Sequence, residues 1–259
     1  MPPPTLSVTL ITKNEAGNIA DCIRSVQWAD EIIVVDSGST DDTIDIARQL
    51  GAKVYQTSDW PGFGIQKNRA LSHATSDWIL TIDADERVTP ALAKEIRQAV
   101  QRNASAAYAS PRLTYFAGKP VRHCGWYPDH SARLFRRGRG RFSDHLVHEH
   151  LILDDPVLRL KGDLLHYSYR DMQQARIKED AYGRAGAQEL IRKGRRPMAL
   201  TPHLKGGWAW FRTFILRGGI LDGRTGMAIS RMNARTTFLK YQLAHEHARQ
   251  ANRDSAKQP

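Results

Sequence analysis

The chain has 259 residues, of which 41% are hydrophobic and 25% charged, and these proportions are ordinary for a soluble globular protein. No stretch approaches the roughly 20 apolar residues of a membrane-spanning helix, and the first residues lack the basic and apolar segments of a secretory signal. The formal net charge of +11 arises beyond residue 183, because residues 1–183 carry 23 basic and 23 acidic side chains, whereas residues 184–259 carry 15 and 4.

The first part of the chain alternates short apolar runs with helical patterns. Runs rich in β-branched and aliphatic residues predict strands that are covered on both faces, as in a parallel sheet. The predicted strands are residues 7–12, 31–36, 52–56 and 77–83, and the predicted helices between them are residues 18–26, 41–50 and 65–74. This alternating order predicts an α/β sheet with right-handed crossovers.

From about residue 104 the pattern changes to short strand-like segments separated by Gly- and Arg-rich loops, which predicts an added mixed sheet. These segments are residues 106–113, 132–135, 158–160 and 164–166. Helical patterns return at residues 172–193 and 227–247. The basic segment 192–196, closed by Pro197, predicts a domain boundary, so that residues 191–259 form a helical extension.

Acidic and small hydroxyl residues follow the predicted strands. In open α/β sheets, ligands bind outside the carboxyl ends of the strands. Asp36 ends the second strand and could accept hydrogen bonds from a nucleobase or a ribose, while the small residues 37–39 allow a ligand to approach the backbone. Alternatively, this segment binds no ligand, and Thr40 and Asp41 only cap the helix that follows.

Two carboxylates, Asp83 and Asp85, lie one residue apart at the end of the fourth strand. Carboxylates so placed can hold a divalent cation whose other positions take diphosphate oxygens. Asp-x-Asp sequences are common in loops, but this one follows the apolar segment 78–82. The sequence therefore predicts a metal and diphosphate site at Asp83-Ala84-Asp85.

Two motifs, Val35-Asp-Ser-Gly-Ser-Thr-Asp41 and Thr81-Ile-Asp-Ala-Asp-Glu86, are similar to the nucleotide and metal motifs of the family 2 glycosyltransferases of GT-A fold. Residues 62–71, Val147-His-Glu149 and residues 219–223 resemble the lipopolysaccharide inner-core β-1,4-glucosyltransferase branch of that family. The resemblance covers roughly residues 5–245. It implies a GT-A catalytic domain over residues 1–190, with a nucleotide-sugar half at about 1–103 and an acceptor half at about 104–190.

The resemblance implies an inverting transfer of a hexose, glucose in that branch, from a UDP-sugar to a lipopolysaccharide core or a similar lipid-linked glycan. It also implies a divalent cation, Mg²⁺ or Mn²⁺. The implied metal ligands are Asp85, Asp83 and His166, with a structural role as the alternative for His166. The implied nucleotide-sugar residues are Thr12, Asn14, Glu15, Asp36, Ser37, Ser39, Lys67, Arg69, Asp83 and Ala84. Lys67 and Arg69 lie near the start of a predicted helix, where backbone N–H groups and cationic side chains can both bind phosphate. Alternatively, these two residues belong to an ordinary solvated helix face.

An inverting transferase needs a general base for the acceptor hydroxyl, and the resemblance implies a carboxylate after the metal strand. Glu149 is the candidate and Asp144 the runner-up. The alternative for Glu149 is an ordinary surface glutamate. The alternative for the neighbouring histidines is a zinc site formed by His145, His148 and His150.

The basic tail predicts contact with an anionic surface, either phospholipid or nucleic acid. Aromatic and basic residues alternate in it, as expected of a segment that lies on anionic lipid without crossing it. A packing face or an oligomer contact is the alternative, and the oligomeric state stays open. The residues are Trp208, Trp210, Phe211, Phe214, Ile215 and Leu216 with Arg212, Arg217 and Arg224. Cys22 and Cys124 are expected to be reduced thiols, which predicts a cytoplasmic protein. The lipopolysaccharide acceptor that the resemblance implies adds a peripheral position on the inner face of the inner membrane.

Two other classes of function compete with the transferase. A sugar-nucleotide pyrophosphorylase is expected to have a Gly- and Arg-rich phosphate-binding loop after the first strand. This chain has Thr12-Lys-Asn-Glu-Ala-Gly17 at that position. A nucleic-acid-binding protein would use the basic tail, but the carboxylates of the neutral part repel phosphate unless a cation intervenes. The sequence therefore disfavours both, and nucleic acid is not an expected partner.

Overall fold

The computed structural model describes residues 2–104, 106–143, 149–169 and 172–255. The strands are β1 (Leu6–Thr12), β2 (Glu31–Asp36), β3 (Lys53–Gln56), β4 (Trp78–Thr81), β5 (Glu86–Val88), β6 (Ala107–Phe116), β7 (Lys119–Pro120), β8 (Asp129–Arg136), β9 (Gly140–Phe142), β10 (Leu151–Leu153), β11 (Val157–Arg159) and β12 (Leu164–Tyr169). The α-helices are α1 (Ala16–Val26), α2 (Thr43–Gln49), α3 (Phe63–Ser72), α4 (Pro90–Arg102), α5 (Met172–Arg192), α6 (Thr201–Phe211) and α7 (Gly223–Ser255). A π-helical turn (Arg212–Leu216) and a 3-10 helix (Gly219–Asp222) join α6 to α7.

The main sheet has the strand order β3-β2-β1-β4-β8-β6-β12-β5. Strands β3, β2, β1 and β4 are parallel, whereas β8 runs antiparallel to β4. Every residue of β2 and of β4 is buried, as the continuous apolar runs predict for strands covered on both faces. The predicted α/β fold with a mixed sheet is confirmed. Because β1, β2 and β4 are parallel, the loops that follow them meet at one edge of the sheet.

The chain folds into two units, each formed by two separate stretches of sequence. The first unit comprises residues 1–113 and 128–166, and its core includes the fully buried Trp78 and Phe135. The second unit comprises residues 114–127 and 167–259. The predicted boundary at residue 190 falls inside the second unit, because α5 packs against α7. The assignment of residues 1–190 to a catalytic domain stays a prediction.

The second unit is mainly helical, and α5 and α6 both pack against α7. Its core includes Phe116, Val121 and Cys124 together with Ile229 of α7. Burial and the neighbouring Asp222 raise the pKa of the Cys124 thiol to about 12. Cys22 and Cys124 are both buried free thiols, in agreement with the sequence. Within the described residues, no helix combines the length and the apolar character that crossing a bilayer requires.

The sequence missed two elements between β4 and β6. The strand predicted at residues 77–83 ends at Thr81, so Asp83 and Asp85 lie in the connection to β5. Helix α4 follows β5, with Pro90 in its first turn and with the side chain of Thr89 accepting a hydrogen bond from the backbone N–H of Leu92. Both are ordinary signals of a helix start.

Candidate active site

A cavity of about 730 Å³ opens at the carboxyl edge of the parallel strands in the first unit. The loop after β1, the connection after β4, two residues of α3 and one residue of β12 contribute to its wall. The lining residues are Ile11, Thr12, Lys13, Asn14, Glu15, Trp60, Phe63, Lys67, Asp83, Ala84, Asp85, Glu149 and His166. The structure therefore brings most of the predicted site residues to one cavity, although they come from distant parts of the sequence.

The loop after β1 is fixed by hydrogen bonds to the loop after β2. The backbone N–H of Asn14 donates to the Ser39 hydroxyl at 2.8 Å, and the Asn14 side-chain oxygen accepts from the backbone N–H of Thr40 at 2.8 Å. Asn14 has a positive φ of 56°, a conformation that asparagine tolerates better than most residues. These contacts give the cavity wall a defined shape before any ligand binds.

Asp36 lies behind this wall and is not among the residues that line the cavity. Its buried carboxylate accepts hydrogen bonds from the Thr12 hydroxyl at 3.0 Å, from the backbone N–H groups of Gly38 and Ser39, and from the Ser39 hydroxyl. Ser37 is also buried, and its hydroxyl accepts a hydrogen bond from Gln66 at 2.9 Å. Asp36, Ser37 and Ser39 thus support the loop, and their direct contact with a nucleotide stays a prediction.

Lys67 of α3 connects two carboxylates that are far apart in sequence. Its ammonium lies 3.1 Å from an Asp83 oxygen and 3.1 Å from a Glu149 oxygen, and only 9% of its side chain is exposed. Gly64 of the same helix allows this close approach, since a Cβ added there would lie 1.9 Å from the Ser143 carbonyl oxygen and 3.4 Å from the Glu149 Cβ. One face of α3 therefore contacts both segments that flank the undescribed residues 144–148.

The other oxygen of Asp83 lies 3.0 Å from the Arg133 guanidinium, which also contacts the fully buried Glu86 at 2.6 Å. Burial by itself would raise the pKa of Asp83, but the charges of Arg133 and Lys67 outweigh it and hold that pKa well below its ordinary value. Burial raises the pKa of Glu86, against the opposing charge of Arg133. Both oxygens of Asp83 thus contact cationic side chains.

Asp85 and His166 form the second polar group of the cavity. Antiparallel pairing of β5 with β12 places His166 opposite Glu86, and the His166 Nε2 lies 3.4 Å from an Asp85 oxygen. A carboxylate and an imidazole are both good ligands for a divalent cation. The described residues contain no set of three His, Cys, Asp or Glu side chains arranged around a common point. Asp85 and His166 would therefore supply two positions, which suits a cation that a bound diphosphate also coordinates.

Three other expectations concern Arg69, Asp144 and the histidines of the zinc alternative. Arg69 does not line the cavity, and its guanidinium forms a two-pronged ion pair with Asp59 at 2.7 and 2.8 Å. Contact of Arg69 with a diphosphate stays a prediction. Asp144, the alternative base, lies outside the described residues, as do two of the three histidines of the zinc alternative.

Trp60, Phe63 and Arg133 line the two cavities but were not predicted from the sequence. Trp60 and Phe63 are 44% and 48% exposed, and their rings meet edge to face with centroids 4.9 Å apart. Aromatic residues on either side of Pro61-Gly62, directly before a helix, are a signal that could have indicated a cavity wall. Arg133 carries no such signal, because it is one of several arginines along its segment.

A second cavity of about 370 Å³ shares Lys67, Asp83 and Glu149 with the first. Strands β6 and β8 and the region around Phe142 form the rest of its wall, which includes Arg112 of β6 and His130 of β8. Glu149 therefore borders two cavities.

Known proteins are similar to this chain in sequence and in fold. The sequence profile of "Glycosyl transferase family 2" matches residues 7–151. An uncharacterized glycosyltransferase of Rickettsia bellii is 31% identical over 95% of this chain and 88% of that protein. The lipopolysaccharide core biosynthesis glycosyltransferase LpsC of Rhizobium meliloti is 28% identical over 92% of this chain and 93% of that protein. The crystal structure of S. aureus TarS residues 1–349, in complex with UDP-GlcNAc, shares the fold with a TM-score of 0.50 at 16% identity, over 95% of this chain and 92% of that chain.

Proposed function

The chain belongs to glycosyl transferase family 2 and has the GT-A fold, and from this premise we propose that it moves a hexose, glucose, from a UDP-sugar to a lipopolysaccharide core with inversion at the anomeric carbon. The observation that carries the proposal is the cavity that holds the Glu149 carboxylate together with the Asp85–His166 pair. The likeness to LpsC supports the choice of acceptor. Another glycan or a protein is the alternative acceptor.

We assign the donor to the larger cavity, against the loop of residues 12–15. Asp85 and His166 would hold a divalent cation, Mg²⁺ or Mn²⁺, between them and the diphosphate of the donor. When bound, such a cation neutralises the charge that grows on the departing diphosphate. Asp83 remains a candidate ligand, although Lys67 and Arg133 contact its two oxygens. We therefore propose that the main role of Asp83 is to hold the Lys67 side chain in place.

Glu149 is the proposed general base. Its carboxylate takes the proton of an acceptor hydroxyl while the hydroxyl oxygen forms a bond to the anomeric carbon of the sugar. The bond from that carbon to the diphosphate oxygen breaks at the same time, and its electron pair leaves with UDP. Attack from the side opposite the leaving group inverts the anomeric centre. The Lys67 ammonium, 3.1 Å from Glu149, orients the carboxylate for this step.

The smaller cavity is the proposed entry for the acceptor, since it meets the donor cavity at Glu149. A growing lipopolysaccharide core is lipid-linked, so its transferase would work on the inner face of the inner membrane. We therefore propose a peripheral position there.

Transfer of labelled sugar from UDP-glucose to lipopolysaccharide with a truncated inner core tests this proposal. The wild type is expected to form a β-linked product from the α-linked donor, as anomeric proton couplings would show. Glu149→Gln is expected to lower kcat by about 10²- to 10⁴-fold, while Glu246→Gln on α7 serves as a control with the same change of charge. Near-normal transfer by a folded Glu149→Gln variant would show that another group is the base. Lack of transfer from UDP-glucose, UDP-galactose and UDP-GlcNAc alike would refute the donor class.

A further inference from the structure

Helix α6 and the π-helical turn after it carry a row of large apolar side chains on their outer surface. Leu204, Trp208, Phe211 and Ile215 are 63%, 55%, 41% and 44% exposed. Their spacing of four, three and four residues places them on one side of a helix. We call these four residues the exposed stripe.

The opposite side of the same helix is made of small residues. Pro202, Gly206 and Thr213 are buried, and a Cβ added at Gly206 would lie 3.2 Å from the Ala234 carbonyl oxygen of α7. The Thr213 hydroxyl accepts a hydrogen bond from the Asn233 side chain of α7 at 3.2 Å. Small residues thus allow close packing against α7, and the large apolar side chains point away. This is the reverse of an ordinary amphipathic surface helix, whose large apolar residues face the core.

More exposed apolar side chains lie close to the stripe in sequence. They are Met198, Leu200, Leu216, Ile220 and Leu221, with exposures from 56% to 77%. A concentration of this kind on a folded surface marks an interaction site. Trp210 and Phe214, which belong to the aromatic and basic set named from the sequence, are half-buried, and their ring centroids stack 5.1 Å apart.

The charge of the same segment has one sign. Residues 190–221 contain seven Lys and Arg residues and no Asp or Glu. Lys205 and Arg212 are exposed and belong to the helix that carries the stripe. Apolar and aromatic side chains combined with cations are the composition that binds the interface of an anionic bilayer.

We propose that the exposed stripe docks the protein on an anionic membrane surface, with α6 lying in the plane of the interface and Lys205 and Arg212 against lipid phosphates. A second copy of the chain fits this surface less well. Two copies paired through the stripe would bring like charges together, with no acidic residue in 190–221 to compensate them.

Flotation of the full chain with phospholipid vesicles tests the proposal without any substrate, so its failure would leave the proposed transferase function standing. Vesicles of phosphatidylcholine with about one-third phosphatidylglycerol are expected to bind the protein. Pure phosphatidylcholine and high salt are expected to weaken binding. Leu204→Ser/Phe211→Ser removes apolar contacts, and Lys205→Gln/Arg212→Gln removes two charges. Each pair of changes is expected to lower the partition coefficient by about 10- to 30-fold.

Matched controls lie outside the stripe. Ile177→Ser removes an apolar side chain on α5 that is 64% exposed, and Arg48→Gln/Lys94→Gln removes two exposed charges of the first unit. These variants are expected to bind vesicles as the wild type does. Equal binding of vesicles by Leu204→Ser/Phe211→Ser and the wild type would overturn the proposal. Failure of the wild type to bind anionic vesicles would overturn it as well. A dimer in light scattering that Leu204→Ser/Phe211→Ser converts to a monomer would assign the surface to a second copy instead.

Discussion

The two units of this chain depart from the usual rule of burial in opposite directions. The first unit buries charge, since at most 9% of the side chain is exposed in Lys67, Arg133 and Glu86. The second unit exposes apolar surface, and Leu221 and Met198 are 70% and 77% exposed. Neither arrangement favours folding, because buried charges lose hydration and exposed apolar side chains contribute little to a core.

The difference indicates where each unit meets its ligands. Buried charges that neutralise one another hold a carboxylate such as Glu149 in one position, which suits chemistry on a bound sugar. Exposed apolar residues next to cations suit a partner that is itself apolar and anionic. The first unit should therefore be sensitive to single substitutions at the cavity, whereas the second should tolerate changes at its exposed stripe.

Loss of the Lys67 ammonium should have the largest effect on stability. Lys67→Met leaves two partly buried carboxylates without their shared cation, and breaking a buried pair typically costs about 3–5 kcal/mol. Lys53→Met is the matched control, since Lys53 also contacts a buried glutamate but 60% of its own side chain is exposed. A much smaller cost is expected there, because solvent screens an exposed ion pair. Urea denaturation measures both, and equal costs would contradict the special position of Lys67.

Glu31 is the next most sensitive group. Burial by itself would raise its pKa, but hydrogen bonds from Lys53, Ser7 and Thr75 lower it from 4.5 to about 2. The ionised form therefore contributes about 3 kcal/mol, which is fully present above pH 4.5 and is lost as the pH falls towards 2. Glu31→Gln should lower the unfolding free energy by this amount at pH 7. Its difference from the wild type should shrink below pH 4.5, whereas the exposed control Asp45→Asn should show little change. A constant difference across that range would refute the assignment.

The smallest effect is expected at the exposed stripe. Leu204→Ser should change the unfolding free energy by no more than about 0.5 kcal/mol, because surface positions away from packed contacts tolerate substitution. Circular dichroism during thermal unfolding measures this effect. A loss of several kcal/mol would show that Leu204 is packed in solution, and it would remove the contrast between the two units.

Local sequence patterns were sufficient to predict the parallel part of the sheet, but they did not predict the order of its strands. The apolar runs of β1, β2 and β4 predicted a parallel arrangement, and that arrangement alone brings the loop at Asn14 to the same edge as Asp83. Helix α4 was missed although Thr89 and Pro90 mark its start, so here the signal was present and not used. The half-buried state of Trp210 and Phe214 depends on packing that periodicity does not determine.

Contacts across long sequence separations were beyond local reasoning. The Lys67–Glu149 pair joins residues 82 positions apart, and its existence depends on how α3 packs against the region of Phe142, where Asn68 exchanges two hydrogen bonds with the Phe142 backbone. The burial of Arg133 depends on the pairing of β8 with β4 and β6. No spacing in the sequence encodes these distances. Resemblance to a family suggested Glu149 as the base, but it did not suggest that the Lys67 ammonium would contact the Glu149 carboxylate.

The central claim is that the larger cavity binds a nucleotide diphosphate sugar together with a divalent cation at Asp85. Thermal unfolding with UDP or UDP-glucose, with and without Mn²⁺, tests it most directly on the wild type and on Asp85→Ala. A ligand that binds only the folded protein adds about 2.7 kcal/mol of stability at one hundred times its Kd. The account predicts an increase in Tm that requires Mn²⁺ and disappears in Asp85→Ala. The absence of any shift in the wild type with either nucleotide, with or without metal, would contradict it.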